Sequence, residues 1–198
     1  GVYGLDEGLV VLSGLVAHAS ELVRRRTARA LGMISGEVSE SLLVGLLDDP
    51  SWAVVLAAIE SLSLVGKDRA VDALLERYGA YRDLKVQSKC MAAFTVLHRE
   101  RSLPVVLKAL DSPDSRIRAN AVEGLSRFPL PAEQALGHAV SHLQDENNRV
   151  RANAIVALYP HDHLRALRAL REMLSSGSGR DRASAYWAVG EVQDPEVT

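Results

Sequence analysis

The chain repeats itself, and the repeat limits what it can fold into. RIRANAVEGL at 116–125 returns as RVRANAIVAL at 149–158, with Arg, Ala, Asn, Ala and Leu in the same order. With Ile117 and Val150 as the origins of the two copies, the same frame falls on Val23, Val54, Val86 and Asp181, at successive spacings of 31, 32, 31, 33 and 31 residues. A fixed period of roughly 20 to 50 residues belongs to arrays in which one supersecondary unit is stacked on the next.

The frame carries chemistry as well as length. Four residues after each origin stand Thr27, Ala58, Cys90, Ala121, Ala154 and Ala185, and seven after stand Ala30, Ser61, Ala93, Gly124, Ala157 and Ala188, all of them small. Eight after stand Leu31, Leu62, Phe94, Leu125, Leu158 and Val189, all large and apolar. Positions 4, 7 and 8 share one face of a helix, so every unit is predicted to hold a helix with two shallow sites and one plug.

Between these helices each unit offers a second amphipathic segment, starting near Leu5, Ser39, Asp68, Ser102, Pro131 and His163, several with a cap-like Ser or Asp or an early Pro. Breakers punctuate the joints: DDPS at 48–51, DSPDS at 111–115, QDENN at 144–148 and SSGSGR at 175–180. No strand pattern survives beside them. The expectation is an all-α fold, an α-solenoid of about six stacked helix-turn-helix repeats at 5–35, 36–66, 67–99, 100–129, 130–160 and 161–192. A seventh would start at 193–198, making the chain a single array over 1–198 and a section of a longer protein. One such hairpin cannot bury its apolar face alone, so neighbours must share a core. The recurrent helices are expected on the concave side.

LDSPDSRIRANAVEGL and LQDENNRVRANAIVAL, an acidic turn, then Ile-Arg or Val-Arg, then small residues and a closing Leu, resemble HEAT-like repeats of the phycobilisome-lyase type. The resemblance covers nearly all of the chain. It implies a helical-repeat architecture and leaves activity open, because such repeats occur in lyase subunits, scaffolds and regulatory modules alike. The His-Glu pairs of the metal-hydroxylase relatives are absent from the sequence.

Composition narrows the function. Net charge is −2 and aromatic content 5%, with 47% hydrophobic residues, so no global basic field advertises nucleic acid. No apolar run is long enough for a membrane span. The single Cys90 excludes an internal disulfide and suits a reducing, cytoplasmic compartment, and a composition rich in Ala, Leu, Arg and Gly suits a bacterium.

Arginine recurs one residue after the origin, as Arg24, Arg118, Arg151 and Arg182, with Val55 and Gln87 as the interruptions. Acids in the preceding turns, Asp48, Asp111 and Asp145, make these arginines structural forks between units rather than a basic ladder for an anion. Arg24, Arg25, Arg26 and Arg29 are denser than one fork requires, which suits either a solvated face or a site for a phosphate or an acidic partner. Positions three and six after the origin are expected at the surface: Arg26 and Arg29, Ala57 and Glu60, Lys89 and Ala92, Asn120 and Glu123, Asn153 and Val156, Ser184 and Trp187. This stripe varies over a constant frame, as a recognition surface does, and Trp187 is its best anchor, or core if a seventh hairpin covers it. The candidate partner-binding residues are Arg26, Arg29, Glu60, Lys89, Asn120, Glu123, Asn153 and Trp187.

His138 and His142 share a helix face, with His161, Asp162 and His163 at the next first helix, but no HExxH run or Cys pair accompanies them, so no metal site is assigned. Nor is there a nucleophile motif, a P-loop or a dinucleotide turn, and Cys90 stands where the frame wants a small buried residue. The function expected is a non-catalytic scaffold or regulatory module, without a cofactor, that binds another protein. The resemblance implies a bilin lyase-like subunit or chromophore-handling chaperone as the alternative. Nucleic-acid binding is disfavoured, because Glu60, Glu123 and Glu191 interrupt any basic face.

Overall fold

A computed structural model describes residues 3–97 and 99–194, with side chains from residue 7 onward. Among the described residues the regular structure is helical throughout, and the protein is an all-α solenoid. Its helices are α1 (Tyr3–Leu15), α2 (Glu21–Leu31), α3 (Glu37–Gly45), α4 (Trp52–Val65), α5 (Asp68–Tyr78) and α6 (Leu84–Leu97), then α7 (Leu103–Ala109), α8 (Ser115–Leu125), α9 (Ala132–Ser141), α10 (Asn148–Leu158), α11 (His163–Leu174) and α12 (Gly179–Val192). Odd-numbered helices are the first of each hairpin and even-numbered ones the recurrent second. The expected start of a seventh hairpin lies, past Asp194, outside the described residues.

The helices group into two compact units, residues 1–102 and 103–198, of three hairpins each. In the first, α2 packs on α4 and α4 on α6. In the second, α8 packs on α10 and α10 on α12. Second helices therefore form the spine of each unit, through the residues the frame picked out. Thr27, Ala58, Cys90, Ala121, Ala154 and Ala185 are all buried, and the plugs Leu31, Leu62, Phe94, Leu125 and Leu158 are sealed behind them.

Most of their starts share one device, though Ser20 before α2 makes no side-chain cap. Three residues before the origin stand Ser51, Asp114, Asn147 and Ser178, whose side chains accept backbone N–H groups of the first turns of α4, α8, α10 and α12. First helices are less regular. Lys67 cannot cap α5, and Glu40 of the preceding hairpin does so instead, its Oε1 accepting from Lys67 N at 2.8 Å and Ala70 N at 3.0 Å. Glu40 is buried, yet it satisfies two amides that would otherwise be orphaned. Closeness also has a glycine signature: a Cβ on Gly32, just after α2, would lie 2.5 Å from Ser61 Oγ of α4.

Candidate functional site

The recurring arginines are structural, though of the three acids the sequence suggested only Asp145 is held by one of them. The Arg24 guanidinium grips Asp49 through Nε at 2.6 Å and a second nitrogen at 2.9 Å. Arg118 grips Asp145 at 2.9 and 2.8 Å, and Arg151 reaches Asp181 at 2.6 Å. In each case the acid lies in the following hairpin, not in the preceding turn. The remaining guanidinium nitrogen turns back to the arginine's own turn, as from Arg118 to Ser112 O and from Arg151 to Asp145 O. Asp48 is held instead by Arg77 of α5 at 2.7 Å, and Asp111 is exposed.

The interruptions follow the same rule. Where the next turn offers Tyr81 in the register of Asp49, the arginine is replaced by Val55. Gln87 still reaches back to its own turn, its amide donating to Tyr81 O at 2.6 Å. These pairs are worth something because they are shielded: the Arg118 and Asp145 side chains keep 11% and 10% of their exposure. Burial pushes the Asp145 carboxyl up, but the Arg118 hydrogen bonds and the Asn147 N–H outweigh it, and its pKa ends below the ordinary value. The Arg24 hydrogen bonds likewise hold Asp49 down.

The expected surface stripe divides. Arg26, Arg29, Glu60 and Trp187 are exposed, with Lys89 and Glu123 partly so. Asn120 and Asn153 are not surface residues but buried ones, at 8% and 2% exposure, and Ala57 is buried too. Asn153 donates from Nδ2 to Ala119 O at 2.8 Å, tying α10 to the backbone of α8. Asn120 Oδ1 accepts from Arg149 at 3.1 Å. The repeated Asn of the opening motif thus lies inside the seam, because helices that approach through alanine leave main-chain oxygens within reach of a short amide. What brings the stripe together in the second unit is a groove of about 580 Å³ along α8, α10 and α12, lined among others by Glu123, Arg149, Asn153, Arg180 and Trp187.

A smaller hollow of about 120 Å³ shares Glu123, Asn153 and Trp187 and continues to Arg127 and Glu191. At one end, by the N-termini of α10 and α12, Arg180 is exposed and Arg149 is half spent on Glu123 at 3.1 Å. In the middle lies Trp187, 41% exposed. Sequence reasoning missed Arg149 and Arg180, which fall outside positions three and six, although their place in the first turns of α10 and α12 was readable. A second cavity of about 420 Å³ lies by the Arg151–Asp181 pair. In the first unit Lys89 pairs with Glu60 at 3.3 Å, while Arg26 and Arg29 form no ion pair among the described residues.

The histidines do not converge. His142 is buried, with Nδ1 against His138 O at 2.8 Å and Nε2 against Leu110 O at 3.2 Å, so its ring joins α9 to the end of the preceding first helix. Among the described residues no group of three or more His, Cys, Asp or Glu is placed to hold a metal ion. Burial pushes the Cys90 thiol up to about 12, so it carries no reactive thiolate. None of the described helices is long and apolar enough to cross a membrane.

A family model described as HEAT repeats matches residues 9–94 and 82–158. No curated protein matches. Among solved structures, the complex of CpcE and CpcF of phycocyanin lyase from Nostoc sp. PCC7120 aligns at 18% identity with a TM-score of 0.71, over 92% of this chain and 76% of that one. A computationally designed armadillo repeat protein for modular peptide recognition aligns at 20% identity with a TM-score of 0.52, over 92% and 99%. At these identities the likeness speaks to fold.

Proposed function

The chain belongs to the HEAT-repeat family, and from that premise we propose that it is a non-catalytic scaffold that binds a segment of another protein in the groove of its second unit. The observation that carries the reading is Trp187. A large aromatic left 41% exposed over an apolar groove is the anchor expected of an interface. Arg149 and Arg180 at one end favour a segment with a carboxylate there and a bulky apolar side chain over the indole. Solved relatives of this fold include a lyase complex and a protein designed for peptide recognition, which supports a binding role.

We also read the six hairpins as a single array, because the matched segment 82–158 runs through the boundary at 102 without a break. Composition and the lone buried thiol support a bacterial, cytoplasmic setting. The test is selection from a random peptide library displayed against the chain, followed by titration of the selected peptides on Trp187 fluorescence in a Trp52→Phe background. Selected peptides should pair an acid with a bulky apolar residue. Trp187→Ala and Arg180→Ala should each weaken them about tenfold or more. Peptides that bind Trp187→Ala as tightly would end the proposal.

A bilin lyase-like subunit is the second reading, favoured by the likeness to the phycocyanin lyase complex and by an aromatic groove whose arginines suit carboxylates. Mixing the protein with a free bilin separates the two, since this reading requires a change in the bilin absorption spectrum that Trp187→Ala removes.

A further inference from the structure

The exposed apolar side chains of the first unit fall in a register that the repeat does not need. Ten residues after the origin, at the C-terminal ends of α2, α4 and α6, stand Met33, Leu64 and Val96, exposed by 87%, 74% and 44%. The same register holds Arg127, Pro160 and Glu191 in the other three hairpins, all exposed, so packing of the frame does not call for apolar residues there. Three such side chains are exposed, one per hairpin: Leu64 and Val96 on the packed helices α4 and α6, and Met33 in the turn just past α2.

Four and seven residues earlier in this register stand Arg29, Glu60 and Ala92, and Arg26, Ala57 and Lys89, of which Ala57 is buried. Lys89 and Glu60 neutralise one another at 3.3 Å. Among the described residues Arg26 and Arg29 have no such acid, and neither has Arg25, so the face is an apolar row beside a basic corner.

We propose that this face docks an amphipathic helix of a partner protein, with apolar residues seated on Met33, Leu64 and Val96 and an acidic flank over Arg26 and Arg29. Spacing selects a helix over an extended segment. Helices packed through small residues lie about 8–10 Å apart, so the partner must present apolar groups at that interval. A strand returns to the same face after about 6.6 or 13 Å, and neither fits. A helix returns after seven residues, about 10.5 Å, the nearest of these to that interval. The charge of the corner sets the sign of the flank. A nucleic acid would use the arginines but would leave the apolar row wet. The surface shares no residue with the Trp187 groove and stands independently of it.

The test is fluorescence anisotropy of a labelled synthetic peptide of three heptads, Leu at the first position of each and Glu beside it, titrated with the full chain. Saturable binding is expected, weakened at least about tenfold by Met33→Ser and by Leu64→Ser, two exposed positions whose change leaves the helical circular dichroism intact. Arg26→Glu with Arg29→Glu should lose this peptide and gain one flanked by Lys. Trp187→Ala should bind it unchanged. The proposal falls if no saturable binding occurs, if a peptide with Leu moved to every fifth position binds equally, if Met33→Ser and Leu64→Ser bind like the native chain, or if Trp187→Ala loses the peptide. Duplex DNA that binds the chain and displaces the peptide through Arg26 and Arg29 would overturn it in favour of the phosphate backbone.

Discussion

Arg118→Met separates a shielded ion pair from an exposed one of similar length. The substitution removes two charge-assisted hydrogen bonds to Asp145 and the bonds to Ser112 O and Pro113 O, while the methionine stem keeps most of the packing. Asp145, 10% exposed, is left as a shielded charge with only the Asn147 N–H to compensate it. Removing one partner of a fully buried pair costs about 3–5 kcal/mol, and breaking an exposed pair about 0–1. With about a tenth of each side chain still wet and one backbone bond retained, about 2–3 kcal/mol is expected. For a chain of this length that is a fall of roughly 5–10 °C in melting midpoint, read by circular dichroism.

The control is Arg101→Met. Arg101 meets Asp72 at 2.6 Å, but the side chains are 47% and 51% exposed, and the midpoint should not move. Because stacked hairpins couple mainly to their neighbours, the extra hydrogen exchange in Arg118→Met should concentrate in α8 and α10 and spare α2 and α4. Adding Asp145→Asn to Arg118→Met should restore at least about 1 kcal/mol, since no charge then stays buried. Equal losses from Arg118→Met and Arg101→Met, or further destabilisation by Asp145→Asn in the double variant, would refute the reasoning.

Acid should destabilise the fold. Asp49, Asp114 and Asp145 all have pKa values lowered from 3.8 in the folded state, so their contribution is complete above the unfolded value and is lost as pH falls through it towards the lower folded ones. Urea midpoints should therefore hold between about pH 5 and 7 and drop below about pH 4. Cys90, buried and with its thiol pushed up to about 12, should ignore a thiol reagent at pH 8 in the native protein and react fully in concentrated urea. Gly32→Ala should cost about 1–3 kcal/mol by overpacking, because its new methyl would meet Ser61 Oγ at 2.5 Å. Adding Ser61→Gly should recover more than half of that in the same thermal melt.

Much of this could be read from the sequence because the period fixes what is buried. Small residues at two positions and a large one beside them recur only if helices touch there, and Cys90 and Phe94 are buried as that frame requires. The reading faltered where polar residues are buried. Asn120 and Asn153 look like surface residues by type, and only the alanine-thin contact explains why an amide is wanted inside. The arginine forks were recognised with Asp145 rightly among their acids and Asp48 and Asp111 wrongly, because a sequence shows which acid is near in the chain and not which is near across the seam. A clue was there: Val55 replaces the arginine where Tyr81, not an acid, follows. Glu40 gave no such signal, since nothing local marks a glutamate that caps a helix 27 residues on.

The forward reach of the arginines also sets a rule for how such a chain can lengthen. The hairpin at 130–160 both presents Asp145 to its predecessor and extends Arg151 to its successor, so a tandem copy of it would satisfy its own charges and could be duplicated without loss. The hairpin at 36–66 presents Asp49 but has Val55 in place of the fork, and a second copy in tandem would strand an acid at the new junction. Growth by gene duplication is thus permitted at some joints and resisted at others.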